Sequence, residues 1–259
     1  MKLNKLLFII SLITIQAFAQ TIKYGNNSTV GKYAQINGIN LYYEIYGTGK
    51  PILMLHGNSG SINAFEAQIP YFSKYYKVIA VDSRLQGKSS GSPDTLSYEM
   101  MADDFAALLD YLNLDSVYVI GWSDGGIDGI ILAMKYPAKV KMLAISGANT
   151  VCDSSAVPYS DIINMRNFVN NNKEASPKDI TLHKMMLTQP NINYADLRNI
   201  KCPTLIMAGD NDIIKIEHTV KIFQSIPKAN LCIFPQSGHG TLIQHADLFN
   251  TIVHNFFKE

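Results

Sequence analysis

The sequence predicts an α/β fold: a doubly wound, mostly parallel sheet that starts with an antiparallel hairpin and carries a short helical lid insertion. Three observations support this class. Short apolar runs alternate with stretches of helical periodicity, which is typical of a parallel sheet with crossover helices. An alternating segment around Asn37-Gly38 precedes this series. A polar segment, residues 149–196, interrupts it.

Length and composition limit the possible functions. The chain has 259 residues, of which 47% are hydrophobic, and a formal net charge of +1. This size fits one domain, with or without an insertion. The near-zero charge excludes a broad basic surface, so we expect no nucleic-acid partner. The apolar fraction excludes disorder, and three cysteines are too few for a disulfide scaffold.

Residues 1–19 have the features of a signal peptide. Lys2 and Lys5 precede an apolar run, and Ala17 and Ala19 match a small-residue cleavage pattern. The run is too short to span a bilayer comfortably. We therefore expect the protein to be exported, either to the periplasm or as a secreted protein, with no stable membrane anchor after cleavage.

An exported chain would fold in an oxidising compartment, which bears on its cysteines. Cys152, Cys202 and Cys232 are odd in number, so at least one thiol stays free or pairs between chains. Two arrangements remain: a Cys202–Cys232 bridge, or three buried free thiols, which we favour.

The strands are predicted from short patterns. Residues 33–46 alternate in polarity on both sides of Asn37-Gly38, which predicts a β-hairpin. Six apolar runs follow, and we expect each to be a strand buried on both faces of a parallel sheet. These runs are Ile52–Leu55, Val78–Val81, Val117–Ile120, Met142–Ile145, Leu205–Ala208 and Leu231–Phe234.

The segments between these runs predict helices and one insertion. Helical periodicity covers 97–112, 124–136, 215–226 and 243–257. A structureless loop as long as 149–196 is rare in a compact domain unless it has a function. We expect that segment to be mostly helical and to cover one end of the sheet as a lid. The core then comprises residues 20–148 and 197–259.

The most informative motif is Gly121-Trp122-Ser123-Asp124-Gly125, which fits G-x-S-x-G. It lies between a predicted strand and a predicted helix, the setting of a nucleophile elbow that exposes a serine hydroxyl. The flanking glycines suit so tight a turn. The following helix N-terminus favours negative charge nearby. We interpret Ser123 as a nucleophile.

A serine nucleophile needs a base, and we assign this role to His239. It lies in Ser237-Gly238-His239-Gly240, between the last strand and the last helix. The other histidines fit the role less well. His56 belongs to a separate motif, the predicted lid contains His183, and three more fall within helical patterns: His218, His245 and His254.

The acid that orients the base should follow the preceding strand. The segment Met207-Ala208-Gly209-Asp210-Asn211-Asp212 offers two candidates. Asp212 lies at the loop tip and is preferred, whereas Asp210 is closer to the strand and suits turn hydrogen bonds. The order Ser123, Asp212, His239 matches the order of the triad in α/β-hydrolases.

The transition state of acyl transfer also needs hydrogen-bond donors. His56-Gly57-Asn58 follows the strand Ile52–Leu55, so the N–H groups of Asn58 and Asp124 are the candidate oxyanion donors. We interpret His56 as structural. No residues have metal-ligand spacing, and the glycines near Ser123 do not form a phosphate loop. The expected reaction therefore uses no metal and no other cofactor.

Together these motifs resemble the α/β-hydrolase family over nearly the whole mature chain. Asp82-Ser83-Arg84-Leu85-Gln86-Gly87-Lys88-Ser89 is similar to that family's D-x-R-x-x-G-x-S loop, with Leu85 where glycine is commoner. Residues 121–127, Tyr136-Pro137 and Gly147-Ala148-Asn149 look closest to the valacyclovir hydrolase (biphenyl hydrolase-like) branch.

That resemblance implies a role for Asp124. In this branch, the Asp after the nucleophile is thought to recognise a substrate's α-amino group. A carboxylate there can pair with an ammonium, and the alternative is that Asp124 only caps its helix. We also assign Trp122 and Asn58 to substrate contact.

The expected function is hydrolysis of small carboxylic esters, including α-amino-acid esters, by a Ser-His-Asp triad and an acyl-enzyme. An aminopeptidase-type amide hydrolase and a lactonase or C–C bond hydrolase remain as alternatives, because they share the triad. A dehalogenase is disfavoured, because it needs Asp where this chain has Ser123. A non-enzymatic ligand-binding relative is also disfavoured, because all three triad residues are present.

Overall fold

The computed structural model describes residues 22–258 as one eight-stranded sheet with helices on both faces. The strand order is β1-β2-β4-β3-β5-β6-β7-β8. The pairs β1/β2 and β2/β4 are antiparallel, and all other neighbours are parallel. The strands are β1 (Gly31–Ile36), β2 (Ile39–Tyr46), β3 (Pro51–Leu55), β4 (Lys77–Val81), β5 (Val117–Trp122), β6 (Val140–Ser146), β7 (Thr204–Gly209) and β8 (Ala229–Phe234). The predicted fold class is confirmed.

The eight α-helices of the described part vary from one turn to four. They are α1 (Ile69–Phe72), α2 (Tyr98–Tyr111), α3 (Asp124–Lys135), α4 (Tyr159–Asn171), α5 (Pro177–Thr188), α6 (Ile216–Ser225), α7 (Thr241–Gln244) and α8 (Ala246–Phe256). Two 3₁₀ turns lie at Ile62–Phe65 and Asp196–Asn199. None of the helices within residues 22–258 has both the length and the apolarity needed to cross a bilayer.

The core consists of two apolar layers, one on each face of the sheet. Along β3, Leu53 and Leu55 face a layer that includes α2, α3 and α6. Ile52 and Met54 face the opposite layer, which includes α1 and α8. Successive side chains of a strand point to opposite faces, so an unbroken apolar run is what a strand covered on both sides requires.

The hairpin is confirmed at its predicted turn. Asn37 and Gly38 both have positive φ, 46° and 76°. Positive φ at both central residues is the geometry of a type I′ turn, which matches the twist of the flanking strands.

Two predicted elements differ from the structure. β8 is not buried on both faces: it is the edge strand, and only Phe234 is fully buried. The predicted helix 243–257 is two helices, because the chain leaves helical geometry at His245 (φ −128°, ψ 44°). Apolar composition does not distinguish an edge strand from a central one, and helical periodicity continues across the break.

The segment 149–196 contains helices α4 and α5, and its two ends meet in a β-bridge between Val151 and Asn191. His218 of α6 contacts both ends. Its Nε2 accepts from the Thr150 N–H at 3.0 Å, and its Nδ1 lies 2.8 Å from the Tyr194 hydroxyl. The domain boundaries and the covering role of this segment stay predictions. The predicted signal peptide, 1–19, lies outside the described residues.

Candidate active site

Ser123 lies at a sharp turn between β5 and α3. Its backbone has φ 56° and ψ −120°, which is strained for a residue with a side chain. The turn depends on glycine, because a Cβ on Gly121 would lie 2.3 Å from the Gly125 carbonyl oxygen. A Cβ on Gly125 would lie 2.0 Å from the Leu55 carbonyl oxygen. The G-x-S-x-G spacing therefore follows from the space available at this turn.

The structure brings Ser123, His239 and Asp212 into one hydrogen-bonded line. His239 Nε2 lies 2.8 Å from Ser123 Oγ, and its Nδ1 lies 2.7 Å from Asp212 Oδ1. The Asp212 side chain is fully buried, whereas that of His239 is 20% exposed. Asp212 Oδ1 also accepts from the Ile214 N–H at 3.0 Å. This geometry lets the imidazole take a proton from the serine while the carboxylate fixes its tautomer.

Asp210, the other candidate acid, contacts neither His239 nor Ser123. Its two carboxylate oxygens accept from the N–H groups of Gln236 and Ser237, each at 2.9 Å. These backbone hydrogen bonds lower the pKa of the Asp210 carboxyl. Asp210 therefore joins the loop after β7, residues 210–215, to the loop after β8, residues 235–240, which we call the histidine loop. Of the two acids, only Asp212 is placed to orient the base.

Trp122 contacts the histidine loop, which the sequence did not predict. Its indole Nε1 donates to the His239 carbonyl oxygen at 2.9 Å. We predicted from the sequence that Trp122 contacts substrate. In the structure its indole N–H, the only polar group of the side chain, already has a partner within the protein. The residue is placed to position the base.

Two more residues support the base and were also missed. Gly147, after β6, has φ 66°, and a Cβ there would lie 2.9 Å from His239 Nδ1. Gln244 Oε1 accepts from the Gly238 N–H at 2.8 Å. The short helix α7, which ends at Gln244, carries this glutamine back to the loop. The only feature of the sequence that could have indicated these two supporting residues is Gly147 itself, a glycine directly after a predicted strand.

The two predicted oxyanion donors belong to residues near Ser123: Asp124 follows it in the chain, and Asn58 follows Gly57, on which a Cβ would lie 3.1 Å from Ser123 Cβ. In residues 22–258, neither the Asn58 N–H nor the Asp124 N–H donates to a protein acceptor. The Asp124 N–H is the first of α3, and the first N–H groups of a helix have no partner within it. Two free N–H groups beside a nucleophile suit a developing negative charge.

The Asp124 side chain does not cap its helix. Its Oδ2 accepts from Asn58 Nδ2 at 2.8 Å, and the residue is 5% exposed. Burial raises its pKa, while hydrogen bonds from Asn58 and Tyr98 oppose that rise. The side chains of Asp124 and Asn58, both assigned to substrate contact, are therefore joined to each other beside Ser123.

His56 is held by backbone groups. Its Nε2 accepts from the Ser83 N–H at 3.0 Å, and its Nδ1 donates to the Gly57 carbonyl oxygen at 2.7 Å. Burial lowers its pKa to about 4. His56 thus stays neutral at physiological pH and joins the loop before Asn58 to the loop that starts at Asp82.

Within the part of the chain that the structure describes, no three or more His, Cys, Asp or Glu side chains are grouped to hold a metal ion. The three cysteines are free thiols, as favoured from the sequence, but only Cys202 is buried, whereas Cys152 and Cys232 are partly exposed.

The chain is similar to known hydrolases. A family model described as an alpha/beta hydrolase fold matches residues 50–174. The serine hydrolase BPHL of Homo sapiens is 29% identical over 91% of this chain and 88% of that protein. The 2-hydroxy-6-oxo-2,4-heptadienoate hydrolase of Pseudomonas putida is 25% identical over 89% of this chain and 97% of that protein. The enol-lactonase of Burkholderia xenovorans LB400 matches in fold, with a TM-score of 0.76 at 19% identity over 88% of this chain and 100% of its own.

The chain has the α/β-hydrolase fold. Its sequence resembles serine hydrolase BPHL, as the residues around Ser123 predicted. The names of these similar proteins refer to different substrates, so the reaction has to be argued from the site.

Proposed function

We propose that the protein is a serine hydrolase of small carboxylic esters. The observation that carries the proposal is the hydrogen-bonded line from Asp212 through His239 to Ser123, which ends at a strained elbow. The two unpaired N–H groups of Asn58 and Asp124 add the second requirement of acyl transfer. The similarity to serine hydrolase BPHL supports the same chemistry.

In the proposed mechanism, His239 Nε2 takes the Ser123 hydroxyl proton as Oγ attacks the ester carbonyl carbon. The N–H groups of Asn58 and Asp124 bind the oxyanion that forms. Collapse breaks the bond to the alcohol, which leaves with the proton from His239. Water then attacks the acyl-enzyme with His239 again as base, which releases the carboxylic acid and restores Ser123.

The proposed substrates include α-amino-acid esters, with Asp124 as the group that recognises the ammonium. The carboxylate lies one residue from the nucleophile and is held by Asn58 Nδ2 at 2.8 Å. A buried, oriented carboxylate forms strong charge-assisted hydrogen bonds with an ammonium.

We further propose that the protein acts outside the cytoplasm, because residues 1–19 have the sequence pattern of a signal peptide.

The test is a panel of benzyl and p-nitrophenyl esters, lactones and aminoacyl amides, offered to residues 20–259 and to a Ser123→Ala variant. We expect ester turnover that falls by a factor of about 10⁶ in the variant, with unchanged circular dichroism. Full esterase activity in Ser123→Ala would contradict the nucleophile assignment. Turnover of amides or lactones without any ester would contradict the ester preference.

A further inference from the structure

Asp128 is a buried acid that the proposed mechanism does not use. It lies in α3, one turn after Asp124, and is 1% exposed. Neither of its carboxylate oxygens has a hydrogen-bond partner within residues 22–258. Buried polar groups are nearly always hydrogen-bonded, and a buried carboxylate without a donor is costly. The residue therefore needs a functional explanation.

The helix directs Asp128 toward the site. Residues four apart lie on the same face of a helix, and helical side chains point back toward the N-terminus. The N-terminus of α3 is at Ser123, so the Asp128 carboxylate extends toward Asp124. The buried Tyr98 hydroxyl of α2 lies beside both carboxylates, and their charges raise its pKa after the larger effect of burial.

The surroundings of Asp128 are acidic. Burial raises its pKa well above its usual range, and the charges of Asp124, Asp104 and Glu99 reinforce that rise in this order. Arg84 is already paired with Asp104 at 2.6 Å. Protonation of Asp128 would remove its charge, but neither of its oxygens lies in a hydrogen bond within residues 22–258 that would stabilise the neutral acid. A cation beside Asp124 would compensate both carboxylates.

We propose that Asp128 and Asp124 together form a two-carboxylate ammonium subsite beside Ser123, and that Asp128 determines the preference for cationic substrates. The inference rests on the proposed esterase function and narrows its substrate class to esters whose acyl part carries an ammonium. Asp124 contacts the ammonium, and Asp128 lies one helical turn deeper and completes the negative environment.

The experiment separates binding from turnover. Alanine benzyl ester and benzyl propanoate differ only in the α-ammonium, and their affinities are measured by calorimetry on Ser123→Ala. We expect Asp128→Asn in this background to lower the ratio of the two affinities by at least about tenfold, since a carboxylate one helical turn from an ammonium still attracts it strongly in a poorly hydrated site. Asp128→Ser is the second variant if the asparagine variant does not fold.

Glu99→Gln is the matched control. It removes an exposed negative charge that also acts on Asp128, and the ratio should stay within about twofold of the parent. An unchanged ratio in both Asp128 variants, with a lowered ratio in Asp124→Asn, would overturn the role of Asp128. A ratio near one in the parent would overturn the subsite altogether. Release of benzyl alcohol from benzyl propanoate by the wild-type protein would still support the esterase function in either case.

Discussion

Two histidines, each next to a glycine, follow strands of the same sheet and have different environments. His56, after β3, is 1% exposed, and both of its ring nitrogens contact backbone groups. His239, after β8, is partly exposed, and its ring nitrogens contact the side chains of Ser123 and Asp212. Both histidines lie in a loop directly after a strand, so this setting does not determine their roles. The hydrogen-bond partners of each imidazole do.

The difference follows from what each loop holds in place. The His56 ring joins the loop after β3 to the loop after β4, and burial keeps the ring neutral. The His239 ring contacts the nucleophile, and Trp122 and Gln244 hold its loop from outside. A histidine fixed by backbone groups on both sides has no nitrogen left for proton transfer, whereas one between a hydroxyl and a carboxylate can serve as a general base.

The largest predicted effect is on His239. His239→Gln should lower kcat/KM for a p-nitrophenyl ester by a factor of about 10⁴ or more, because the serine loses its base. The fold should remain, since the side chain is partly exposed and its loop is held by other contacts. The measurement is steady-state kinetics together with circular dichroism.

His56→Gln is the comparison for this prediction. It should cost mainly stability, about 1–3 kcal/mol, because the buried Ser83 N–H loses its acceptor. Its rate loss per folded molecule should be far smaller than that of His239→Gln. Equal rate losses in the two variants would show that both histidines act in the chemistry and would remove the distinction.

The next effect concerns the two acids. Asp212→Asn should lower kcat by a factor of about 10³–10⁴, because the amide no longer selects the right imidazole tautomer. Asp210→Asn weakens only the hydrogen bonds to Gln236 and Ser237, which hold the histidine loop. Its loss should stay at or below about tenfold, measured with the same ester. The reverse order of losses would return the triad role to Asp210.

The sequence was informative wherever a local pattern fixes the structure. The apolar runs predicted the strands, because a strand covered on both sides needs apolar residues at every position. Gly121 and Gly125 marked the elbow, because no other residue fits there. Asp212 was preferred over Asp210 from its place at the loop tip, but both lie in one short loop, and only the structure shows which carboxylate reaches the histidine 27 residues further along the chain.

Contacts between distant segments were not predictable. The hydrogen bond between Trp122 and His239 joins residues 117 positions apart. Gln244 reaches the histidine loop only because the last predicted helix breaks at His245. Asp128 lies in an apolar helical pattern, where one acid is easily taken for a solvent-facing residue, and only the structure shows that it is buried.

The last predicted effect is on stability and not on rate. It concerns how the free energy of unfolding depends on pH through His56. The pKa of His56 is about 4 in the folded protein and about 6.5 in the unfolded chain. The unfolded state therefore binds more protons between these values, so stability falls as pH decreases from about 6.5 to 4. His56 alone should lower the free energy of unfolding by about 3 kcal/mol over this range.

Urea unfolding at pH 7 and pH 4 tests this contribution. The drop in free energy of unfolding between the two values should be about 3 kcal/mol smaller in His56→Gln than in the wild type. Between pH 7 and 8 the two proteins should change alike, because the imidazole is neutral in both states there. The same drop in both proteins would mean that His56 takes up its proton equally well when folded. That result would contradict the burial and backbone contacts on which its contrast with His239 depends.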